Sequence, residues 1–204
     1  MVFPDYCWAM ASLTDLTRRL KLTLVAVTDD RRGGDPLTLA ASLPTGSWLI
    51  FRHYGVADRV ALATKLAVHC RQRRVTLLIA GDPRLALKLR SGLHLSDHLA
   101  TYPTPAIRLW RRRGGLLTAA AHDRGGLARA AQLGADAALL SPVFPTRSHP
   151  GAKPLGLLTF RRLARQAALP VIALGGVDRT TLLLLKAAPI AGVAALGALS
   201  DPGA

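Results

Sequence analysis

Short apolar runs, four to seven residues long, alternate along this chain with longer stretches in which apolar positions recur every third or fourth residue. The first pattern predicts strands and the second amphipathic helices. Strands are expected over 22–28, 47–51, 75–80, 92–95, 116–121, 137–141, 170–173 and 192–196, and helices over 36–43, 57–74, 83–89, 124–133, 158–168 and 178–188. Several strand runs are apolar at nearly every position, as befits strands covered on both faces. The connection around 98–106 is interrupted by proline and is expected to be irregular. Residues 1–20 are expected to form an extra N-terminal helix ahead of a single domain over 21–204. Eight strands with crossover helices is the count of an α/β (β/α)8 TIM barrel, at the short end of its size range. A doubly wound sheet is the competitor, but no GxGxxG follows the first strand and no GxxxxGK[ST] occurs.

Composition narrows the chemistry. With 50% hydrophobic residues the 204-residue chain can bury a sizeable core, which excludes a disordered or disulfide-stapled chain. The formal charge is +15; all twelve acids are Asp, and the bases are 22 Arg and 5 Lys. Carboxylate chemistry therefore falls to Asp, and phosphate chemistry to Arg or backbone amides. Such a basic balance raises the question of a nucleic-acid partner. The Arg residues are scattered along the sequence, and the densest clusters, Arg111–Arg113 and Arg71, Arg73 and Arg74, are not interleaved with aromatics. A base-stacking platform is thus not expected, nor is nucleic acid as a partner. Cys7 and Cys70 are too few and too far apart for a metal knuckle or a redox pair. No signal-peptide pattern and no apolar run of membrane-spanning length is present, so the expectation is a cytoplasmic protein with no membrane partner.

In a barrel of this kind, function sits on the loops after the strands' C-terminal ends. The run PVIALGGV ends the predicted seventh strand in Gly175-Gly176, and GVAALGAL ends the eighth at Leu196-Gly197. Glycines there leave backbone N–H groups uncovered for a phosphate, with a helix N-terminus behind. Tight turns are the plainer use of the same residues. After strand six, the stretch from Ser141 to Pro150 holds three prolines besides Thr146, Arg147, Ser148 and His149: a semi-rigid lid with donors for an anion, or a plain surface loop.

These segments carry a resemblance. GADAALLSPVFPT, then PLGL, PVIALGGV and GVAALGAL, resemble the C-terminal half of the thiamine phosphate synthase family, including its TenI branch; LTLVAVTDD and GLHLSD resemble its first and fourth strands. The resemblance implies a TIM barrel and a phosphorylated thiazole as ligand. It places the phosphate site on Gly175, Gly176, Leu196 and Gly197, and the thiazole-facing loop on Thr146, Ser148 and His149. It implies a metal-independent, TenI-like proton transfer with His122, at the end of strand five, as acid/base. His94 matches the family's strand-four histidine and is expected to be structural.

The synthase half of the pattern is eroded. The strand-two motif retains only Arg52, a candidate diphosphate contact, with Ile50 and Tyr54 in place of its Gln and Lys. The Asn-Asp pair ending strand three falls on Ala80 and Gly81, the carboxylate after strand four on Leu99, and the strand-five Ser on Ala120. Mg2+ wants hard oxygen ligands, so no cofactor is expected. The alternative is a working thiamine phosphate synthase whose Mg2+ site is rebuilt on Asp82 or Asp97; a non-catalytic phosphate-ligand sensor is a third reading. Self-association is left open.

Overall fold

The computed structural model describes residues 6–30, 34–146 and 151–196. After α1 (Tyr6–Leu20) come β1 (Thr23–Val27), α2 (Pro36–Ser42), β2 (Trp48–Phe51), α3 (Arg59–Arg73), β3 (Thr76–Ala80) and α4 (Pro83–Leu89). These are followed by β4 (Gly92–Leu95), α5 (Asp97–Thr101), α6 (Pro105–Arg112), β5 (Leu117–Ala121), α7 (Arg124–Gln132), β6 (Ala137–Leu140), α8 (Gly156–Gln166), β7 (Val171–Leu174), α9 (Arg179–Leu185) and β8 (Gly192–Leu196). The strands pair in parallel, in sequence order, and β1 pairs β8 to close the barrel, with Val25 opposite Ala194 and Val27 opposite Leu196. The fold is the eight-stranded TIM barrel the sequence predicts. α1 packs against β1 and α9. Among the described residues no helix is long and apolar enough to cross a membrane.

Period-two alternation explains the layering. Leu49, Phe51, Leu77, Ile79, Leu117, Ala119, Ala138 and Leu140 face the helices and join the main core, while Val25, Val27, Ile50, Leu78, Ala80, Ala137, Leu139, Ile172 and Ala194 fill the barrel interior. Continued to the strand ends, the inward parity selects the side chains that reach the mouth: Arg52 on β2, His94 on β4, Thr118 and His122 on β5, and Ser141 on β6. The interior is therefore apolar below and polar at the top.

The connection at 98–106 differs from expectation. It forms two helices, α5 and α6, because its polar residues and prolines act as starts. Ser96 Oγ accepts from Leu99 N–H, Thr104 Oγ1 accepts from Ile107 N–H, and Pro105 occupies the first helical turn. A proline at that position loses no helical hydrogen bond, and its fixed φ suits the turn. The last predicted helix, 178–188, is shorter in the structure: Asp178 stands outside it as N-cap and the helix ends at Leu185.

Candidate functional site

The mouth lies where the strands end, and most side chains there are already committed by local structure. Asp35, Asp82, Asp123 and Asp178 cap helices, their carboxylates accepting from backbone N–H groups one turn on. Asp178 and Thr181 form a reciprocal capping box, and Thr181 Oγ1 also donates to Gly176 O at 2.9 Å. Asp30 Oδ2 accepts from Gly55 N–H at 3.1 Å and ties the β1 loop to the β2 loop.

The glycine pair after β7 is held by both conformation and contact. Gly175 and Gly176 have φ of +96° and +64°. A Cβ on Gly175 would lie 2.8 Å from Pro142 Cα, and one on Gly176 would lie 2.5 Å from Pro145 O and 2.8 Å from Phe144 Cβ. Only glycine fits, because the β6 loop lies directly against this turn. Val143 N–H donates to Leu174 O and Phe144 N–H to Gly175 O, each at 3.0 Å. Among the described residues, the N–H groups of Gly175, Gly176 and Val177 have no carbonyl partner. Leu196, the last residue of β8, sits opposite Val27. Gly197, Arg147, Ser148 and His149 lie outside the described residues; Thr146, at the end of the described β6 loop, is half-buried, and Lys153 beyond the gap is exposed.

His122 follows β5 and is solvent-accessible. Its Nδ1 lies 2.8 Å from the Ser141 carbonyl oxygen, and Ser141 Oγ is 3.5 Å away. A carbonyl can only accept, so the short contact puts the proton on Nδ1 and leaves the lone pair on Nε2. The carbonyl is itself rigidly placed. Ser141 N–H bonds Ala121 O at 3.0 Å, and Leu155 N–H bonds Pro142 O at 2.9 Å. The adjacent Asp123 is turned away to cap α7, accepting from Gly126 N–H at 2.7 Å.

Deeper in the mouth, His94 Nδ1 and Thr118 Oγ1 are 2.9 Å apart. Burial pushes the His94 imidazole down to about 3, and the nearby Arg52 cation adds to the effect, so this ring is neutral at all physiological pH. Arg52 is half-buried and hydrogen-bonds the Tyr54 hydroxyl. Burial raises the pKa of Tyr54, and the Arg52 and Arg59 cations oppose the rise.

The β2–β4 side of the mouth is dominated by Arg59, which sequence reasoning missed. Its Nε donates to His53 O at 2.8 Å and one terminal nitrogen to Ala80 O at 2.7 Å, while the guanidinium lies over the Phe51 and Tyr54 rings at 5.6 and 5.5 Å. Its other terminal nitrogen reaches Asp82 Oδ2 at 3.5 Å. Asp82 is thereby both a helix cap and an ion-pair partner. Asp97 Oδ1 is bound by Arg129 at 2.8 Å. A Cβ at Gly81 would meet Tyr54 Cε1 at 3.5 Å and Leu99 Cδ1 at 3.6 Å. Positions 81 and 99 therefore face each other across a small gap, as two carboxylates sharing a cation would, and here they are Gly and Leu with an aromatic ring beside them. This donor set does not fit Mg2+, which needs hard oxygens. Among the described residues no three His, Cys, Asp or Glu side chains come together.

A closed parallel barrel with a carbonyl-oriented imidazole after β5 and glycine amides without a carbonyl partner after β7 is a TIM barrel with its candidate site on the strands' C-terminal face. The family model described as thiamine monophosphate synthase matches residues 24–199, and the chain belongs to that family. Thiamine-phosphate synthase of Thiobacillus denitrificans is 34% identical over 148 residues, covering 72% of this chain and 69% of its own length. That of Salinispora tropica is 31% identical over 184 residues, covering 85% and 87% respectively. Among solved structures, thiamine phosphate pyrophosphorylase from Pyrococcus furiosus superposes with a TM-score of 0.71 at 20% identity, over 88% of this chain and 87% of that one. FabK from Thermotoga maritima superposes at 0.64 and 16% identity, over 90% and 60%, a likeness of fold alone.

Proposed function

We propose that this member of the family binds a phosphorylated thiazole carboxylate at the β6–β8 side of the mouth and shifts a double bond in it by metal-independent proton transfer, with His122 as acid/base. The observation that carries this reading is the hydrogen bond from His122 Nδ1 to the Ser141 carbonyl, which leaves Nε2 as a free base at the mouth. The phosphate is proposed to rest on the amides of Gly175 and Gly176 and on the β8 end, Leu196 and Gly197, with Thr146, Ser148 and His149 as the thiazole-facing loop. Arg52 is available to a second anionic group.

In the proposed reaction Nε2 accepts a proton from a ring-adjacent carbon, and the electron pair of that C–H bond moves into the conjugated ring. The imidazolium so formed is held by the Ser141 carbonyl and is open to solvent, so its proton exchanges with water before a proton is returned to a different carbon. Atoms and charge balance without a co-reactant. Condensation with a pyrimidine diphosphate is disfavoured because Gly81, Leu99 and Tyr54 occupy the face where a metal would be held, while Asp82 and Asp97 are bound by arginines. We further propose that the protein works in the cytoplasm with no nucleic-acid or membrane partner.

The test is turnover of a thiazole carboxylate phosphate in the presence of EDTA. Wild type is expected to convert it, and His122→Asn to lose at least about 100-fold in kcat with an unchanged melting temperature. Activity abolished by EDTA, or undiminished in His122→Asn, contradicts the reading.

A further inference from the structure

Ser141 does more at the mouth than offer its carbonyl. It continues the inward row of β6, Ala137 and Leu139, and is 8% exposed. Its hydroxyl is thus a polar group close to the limit of burial, where an unspent donor is costly. Among the described residues its side-chain contact at hydrogen-bond distance is His122 Nδ1 at 3.5 Å, and that nitrogen already carries the proton given to the Ser141 carbonyl. A protonated nitrogen cannot accept, so the Ser141 O–H has no acceptor there, and none is found among the described residues. The hydroxyl and the imidazole edge are fixed side by side by the same peptide, which is tied to β5, β7 and the start of α8 through Ser141 N, Val143 N and Leu155 N.

We propose that Ser141 Oγ is a second catalytic group, a donor to the carboxylate of the substrate that receives negative charge as His122 takes the proton; this rests on the proton-transfer reading above. When the C–H bond breaks, its electron pair delocalises from the ring into the attached carboxylate, and a fixed O–H 3.5 Å from Nδ1 of the same imidazole is available to the oxygen that becomes more negative. The bond strengthens as charge develops and weakens when the proton is returned, so it acts on the barrier more than on ground-state binding. The hydroxyl itself gives up no proton.

The experiment compares wild type with Ser141→Ala and Ser141→Thr in turnover of thiazole carboxylate phosphate. In parallel, calorimetry measures affinity for that compound and for the thiazole phosphate lacking the carboxylate. Ser141→Ala is expected to lose 10- to 100-fold in kcat with KM within about threefold, following the loss of a single preorganised donor, and Ser141→Thr to recover part of it. The carboxylate-lacking ligand is expected to bind both proteins alike, which a collapsed mouth would not allow. Turnover in Ser141→Ala equal to wild type overturns the proposal. If wild type itself does not turn the compound over, the proton-transfer reading has failed. The Ser141 proposal, which rests on that reading, then falls with it.

Discussion

At Gly176 the chain combines two demands, a left-handed φ and a contact that leaves no room for a methyl group, and both come from the β6 loop lying on the β7 turn. Gly176→Ala is therefore expected to cost about 2–4 kcal/mol, the left-handed penalty plus overpacking. Gly114→Ala, equally left-handed but facing open space, should cost only about 1 kcal/mol. Urea unfolding of the two variants checks the difference. His94 makes the second residue-scale prediction. Its folded pKa, near 3, lies far below the usual 6.5, so between these values the unfolded chain binds a proton the folded one refuses. Stability from this group is present above about pH 6.5 and falls as pH drops towards 3. His94→Gln should flatten the pH dependence of unfolding between pH 6 and 4 by about one proton, or 1.4 kcal/mol per pH unit. At this scale the sequence revealed which residue types stand at the strand ends, and so exposed Gly81, Leu99 and His122. It could not reveal that His122 is oriented by a backbone carbonyl of the next strand, nor that Arg59 ties up Asp82, because neither contact leaves a pattern in the chain.

Among the elements, most of the described helices begin on Asp, Ser or Thr and several end on Arg or Lys, in keeping with orphan amides and the helix dipole, while α8 begins on Leu155 without a side-chain cap. Three non-glycine residues with positive φ, Lys21, Arg74 and Arg90, sit just after helices α1, α3 and α4, where a left-handed residue closes the last turn. Strand positions were legible to within a residue or so, because runs buried on both faces have no competing pattern. The segment 98–106 was not: proline breaks a helix only from inside it, and here Pro105 stands at the first turn with Thr104 as cap. Thr104→Ala is expected to cost about 1 kcal/mol in urea unfolding, with amide exchange rising first in α6. A smaller cost than in an exposed loop threonine replaced in the same way would deny the cap its role.

Over the whole molecule, charge is sorted by the same rule. Eight of the ten described carboxylates, Asp29, Asp30, Asp35, Asp58, Asp82, Asp97, Asp123 and Asp178, lie after strand ends at the mouth, mostly at helix starts. Arginines scattered in sequence, such as Arg71, Arg73, Arg111 and Arg112, gather at helix C-termini on the opposite end. The carboxylate-rich rim thus serves helix ends and ion pairs, and the mouth keeps an imidazole, a hydroxyl, one half-buried arginine and amides without a carbonyl partner, the groups the proposed reaction calls on. That division supports phosphate binding with proton transfer over diphosphate chemistry at a metal. The most direct test follows the proton itself, by NMR of thiazole carboxylate phosphate incubated with the protein in D2O and EDTA. Deuterium entering the carbons of the shifted double bond with wild type, and not with His122→Asn, is the predicted result. No exchange under those conditions, with thiamine phosphate formed from the thiazole and pyrimidine diphosphate only when Mg2+ is restored, would contradict it.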